Sequence, residues 1–68
     1  MNTATTNTMN IVNSVHIRTN WTFTQAEVTV HQLLSNLGES TKDCAKHDIK
    51  TAGDVTLTAL EIWDKTAA

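Results

Sequence analysis

Met9–Phe23, MNIVNSVHIRTNWTF, is the stretch whose reading decides the fold. Its residues alternate. Met9, Ile11, Val15, Ile17, Trp21 and Phe23 fall on one side, with Asn13 and Thr19 interrupting. Asn10, Ser14, His16, Arg18, Asn20 and Thr22 fall on the other, with Val12 as the apolar exception. A period of two with β-branched and aromatic enrichment predicts a half-buried strand. The segment is long for one strand, so a bend is expected near Asn13-Ser14 or Asn20.

The next segment reads as helix. Thr24-Gln25-Ala26-Glu27 has the spacing of a capping box. Ala26, Val30, Leu33 and Leu37 recur at helical intervals, Leu34 widens their stripe, and Gly38 stands where a left-handed C-cap glycine belongs. This predicts a helix over 25–37. After Ser40 the sequence allows either a shorter, thinner helix, with Ala45, Ile49 and Ala52 on its apolar side, or an irregular segment with one turn of helix. Gly53-Asp54 reads as a turn. Val55, Leu57, Ala59 and Trp63 alternate with Thr56 and Thr58, which favours a second strand, although Thr58–Glu61 also fits a helix cap. At the other end of the chain, residues 1–8 hold four Thr and two Asn without periodicity, and read as a disordered tail. The expected architecture is an α+β domain over 9–66, two-layered, in the order strand, helix, short helix, strand. Two strands are too few to stand alone. Homodimerisation is expected to complete the sheet.

At 68 residues the chain is one domain at most. A core of this size rarely supplies more than about 3–5 kcal/mol. Cys44 is the only cysteine, so no disulfide within one chain can add to it. The lone thiol suggests a reducing, cytoplasmic setting. Residues 1–8 lack the basic and apolar regions of a signal peptide, and no apolar run is long enough to span a membrane. The net charge of −2 argues against non-specific nucleic-acid binding, which depends on clustered Lys and Arg.

Catalytic chemistry finds little support. Cys44 and His47 form a C-x-x-H pair, but a closed zinc site needs four ligands, and His16 and His31 are distant in sequence. A thiolate site would also need an oxyanion hole and a pocket. Gly38 and Gly53 are isolated and make no phosphate loop. No catalytic residue, metal or cofactor is therefore assigned.

Binding readings remain. Trp21, Phe23 and Trp63 are the only aromatics, and such residues are enriched in interface hot spots. They are the expected anchors for a protein partner, bound by a small inhibitor or modulator that works by steric occlusion. In size and composition the chain is similar to phage- or plasmid-encoded accessory proteins. Alternatively, the order strand, helix, helix over residues 14–52 resembles ribbon-helix-helix repressors. That resemblance implies a dimer whose strands enter the DNA major groove, with His16, Arg18, Asn20 and Thr22 reading bases.

Overall fold

Thr8, Ile11, Val12 and Val15 are all buried, and their spacing of three, four and seven is that of a helix face. In the computed structural model, which describes residues 4–66, this segment is helix α1 (Thr8–Arg18). The expected strand over 9–23 is thereby corrected. Val12, the exception to alternation, joins Ile11 and Val15 in the core, while Ile17 turns to solvent at 78% exposure. Asn7 caps the helix by accepting the Asn10 amide at 2.9 Å. Its Asn, Ser, Val and Ile content gives weak intrinsic helicity. An 11-residue helix of that kind is held by its packing.

Helix α2 spans Phe23–Asn36 and meets the sequence expectation with its start two residues early. Two stretches with capping-box spacing, Thr22–Gln25 and Thr24–Glu27, overlap here. Thr22, not Thr24, is the cap, and its hydroxyl accepts the Gln25 amide at 3.1 Å. Ala26, Val30 and Leu34 form the buried stripe, and Leu37 is exposed. The helix ends in a Schellman arrangement. Glu39 N–H donates to the Leu34 carbonyl and Gly38 N–H to that of Ser35, both at 2.9 Å. Gly38 takes the left-handed φ of 77° that this geometry requires.

The remainder departs from expectation. Residues 40–45 are irregular and carry no helix. Helix α3 runs over Ile49–Thr66, straight through Gly53-Asp54 and through the segment expected to be the second strand. Asp48 starts it, accepting the Thr51 amide at 2.7 Å. Ala52, Val55, Thr56, Ala59, Leu60 and Trp63 are all buried or half-buried, and their intervals are helical. Burying that face outweighs the roughly 1 kcal/mol that a mid-helix glycine costs.

The sheet lies elsewhere. Strand β1 (Thr5–Asn7) pairs antiparallel with β2 (Lys46–Asp48), Thr6 opposite His47. Part of the segment read as a tail is therefore structured, and Thr8 beside it is buried. Residues 1–3 of that reading lie outside the described residues. The result is a small mixed α+β fold of three helices and a two-stranded antiparallel sheet formed within one chain. The sheet ties the start of α1 to the start of α3. Thr8 N–H donates to the Ala45 carbonyl at 3.1 Å, and Ile49 N–H to that of Ala4 at 3.3 Å. The three helices then enclose Ile11, Val12, Val15, Ala26, Val30, Leu34, Val55 and Ala59. Among the described residues no helix is long and apolar enough to cross a membrane.

Candidate functional site

The aromatic side chains gather around the connection between α1 and α2. Trp21 is half-buried and packs on the core. Phe23 lies edge-on to His16, with ring centroids 5.9 Å apart. Trp63, on α3, donates its indole N–H to the Asn20 side chain at 2.6 Å. His16 Nδ1 lies 2.9 Å from the Trp21 carbonyl oxygen, to which a protonated Nδ1 donates. These contacts staple the helical connection, so Trp21 and Trp63 each have structural work already.

The four residues of the repressor reading do not share a strand face. His16 and Arg18 close α1, Asn20 lies in the connection, and Thr22 caps α2. Two of them are committed to local hydrogen bonds through their side chains, His16 to Trp21 and Thr22 to Gln25. A ribbon presenting all four to a groove of DNA is not formed by these residues.

A groove of about 330 Å³ lies between α1 and α3. Its walls are two helical rows. Asn10, Ser14 and Arg18 recur every four residues on α1, and Ile49, Gly53 and Leu57 every four on α3. Ile11 and Thr56 lie deeper, both buried, and Thr6 of β1 borders the groove. Ile49 and Leu57 stay 51% and 59% exposed on either side of Gly53. A Cβ on Gly53 would meet nothing within 4 Å, so the glycine leaves a gap between them. Arg18 is the one charged residue of the lining. Sequence reasoning missed this site, because it placed Ile49 on a different element from Leu57. The signal was present as I-x-x-x-G-x-x-x-L, Ile49 to Leu57.

Cys44 is exposed. His47 is buried, with Nε2 2.8 Å from Thr8 Oγ1. Neither belongs to a group of three or more ligating side chains among the described residues. One such group exists there, Glu27, His31 and Asp43. It was legible only as a Glu-x-x-x-His spacing on α2. No family model matches this chain, and neither a curated protein nor a solved structure matches it significantly.

Proposed function

We propose that this protein is a non-enzymatic binding module whose α1–α3 groove takes an apolar segment of another protein, acting by occluding that segment. One observation carries the reading. Ile49 and Leu57 stand exposed in register on α3 with side-chain-free Gly53 between them. Fully burying a side chain of this size is worth roughly 1.5–3 kcal/mol. The gap at Gly53 suits a single large apolar side chain from the partner.

The chemistry of the lining favours a peptide over a small substrate. The groove is open and apolar and offers no carboxylate, imidazole or thiol from which catalysis could be built. A small-molecule site is normally an enclosed cleft, and this groove is open. Arg18 at the rim calls for a carboxylate on the partner, flanking the apolar anchor.

The test is capture by the immobilised chain from cells that produce it, with and without nuclease. The reading requires a nuclease-resistant protein that is retained by the Val28→Asp variant and lost with Leu57→Asp. Val28 is as exposed as Leu57 and lies on α2, away from the groove. Loss of the captured material on nuclease treatment, or equal capture by both variants, would overturn it.

A further inference from the structure

The flank of the α2 core stripe carries a cluster of a different kind. Glu27 and His31 are four residues apart and therefore lie one above the other on the helix. Asp43 reaches the same place from the irregular segment between α2 and β2. One ligating atom from each lies within 4.8 Å of the others. His31 Nε2 is buried and makes no hydrogen bond, and its closest charged neighbour is Asp43 Oδ1 at 3.8 Å. That distance is too long for a hydrogen bond.

We infer that Glu27, His31 and Asp43 form a binding site for a divalent cation of the zinc type, with one imidazole nitrogen and two carboxylate oxygens as ligands. Bonds of about 2.0–2.2 Å in tetrahedral geometry place ligand atoms roughly 3.4 Å apart. The His31–Asp43 separation is within half an ångström or so of that value, and the Asp43 side chain is 62% exposed and free to adjust. A cation there gives the idle Nε2 a partner. Its fourth position is open to water, as in zinc sites with three protein ligands. It also ties the loop bearing Asp43 to α2. This chain lacks disulfides, and a metal is one of the few other ways in which a domain this small gains stability. The site is independent of the groove between α1 and α3.

The experiment is calorimetric titration of the metal-free full-length chain with zinc chloride, paired with cobalt(II) absorption spectra. One zinc per chain is expected, weakened more than about tenfold by His31→Gln, since loss of even an outer-shell partner costs 10–100-fold. Glu27→Gln and Asp43→Asn, whose side chains are not part of the core, should each weaken it as well and keep the test decisive should His31→Gln fail to fold. Cys44→Ser should leave binding unchanged, and the cobalt spectrum should lack a thiolate charge-transfer band. Absence of saturable binding, undiminished binding in the three ligand variants, or loss of binding with Cys44→Ser would each overturn the assignment.

Discussion

Thr8 Oγ1 and His47 Nε2 lie 2.8 Å apart in the buried junction between α1 and β2, although 39 residues separate them in the chain. They are the side-chain link between the start of α1 and the last third of the molecule. His47 Nδ1 is also buried and has no partner, so this hydroxyl is all that satisfies the ring. The arrangement that costs less has Nε2–H donating to Thr8, which leaves Nδ1 as an idle acceptor instead of an idle donor.

Thr8→Val keeps the shape of the side chain and strands the imidazole. It is expected to cost about 1–3 kcal/mol in urea unfolding. Combining it with His47→Leu should recover part of that loss, because both polar groups are then gone. Strict additivity of the two changes would show that the hydrogen bond does not couple them.

Gly53→Ala should stabilise the chain by about 1 kcal/mol, since the glycine sits inside α3 with open space where the Cβ would go. Thermal unfolding by circular dichroism reads this directly. A fall in midpoint would mean that the helix does not pass through Gly53.

Core and groove residues should separate cleanly. Leu34→Ala removes a fully buried side chain and should cost about 2–5 kcal/mol. Leu57→Ala removes an exposed one and should stay within about 0.5 kcal/mol. Comparable losses at both positions would show that Leu57 is part of the core.

Acid should weaken the start of α3. The Thr51 backbone amide, followed by the Thr51 hydroxyl, holds the Asp48 carboxyl below its ordinary value of 3.8, against the opposing effect of desolvation. The positive charge of Lys50 acts in the same direction as Thr51. The folded state therefore releases this proton more readily than the unfolded chain does. The stabilisation is present above about pH 4 and is lost as pH falls through the folded value. Asp48→Asn keeps a good cap but cannot titrate. Its unfolding midpoint should fall less than that of the unmodified chain between pH 5 and 3 (about one unit either side of the ordinary value). Parallel curves would assign the acid sensitivity to other groups.

Helix α2 was readable because stripe and C-terminal glycine agreed within one short window, although its cap is Thr22 and not Thr24. The α+β class was also readable, but its strands were placed on the wrong segments. Ile11, Val15 and Ile17 alternate, yet Val12 lies among them, so two periods competed over α1. The helical one wins, with Thr8, a residue that looks polar in sequence, buried beside Ile11, Val12 and Val15 and hydrogen-bonded to His47, 39 positions away. Gly53-Asp54 has turn chemistry, yet Asp48 caps a helix that continues past it, and the packing of Val55 and Ala59 decides the matter. Strand β2 has no local signature, since Lys46–Asp48 alternates nothing apolar and is defined by pairing with β1. The groove and the Glu27–His31–Asp43 cluster depend on those tertiary placements and were hidden with them.

Occupation of the groove is read most directly by placing a photo-crosslinking amino acid at position 57, and separately at position 28, in cells that make the protein. If the groove holds a segment of another protein, position 57 gives an adduct with a different, heavier protein and position 28 gives none. An adduct of twice the chain's own mass, equal adducts from both positions, or none from position 57 would contradict the proposed occupant.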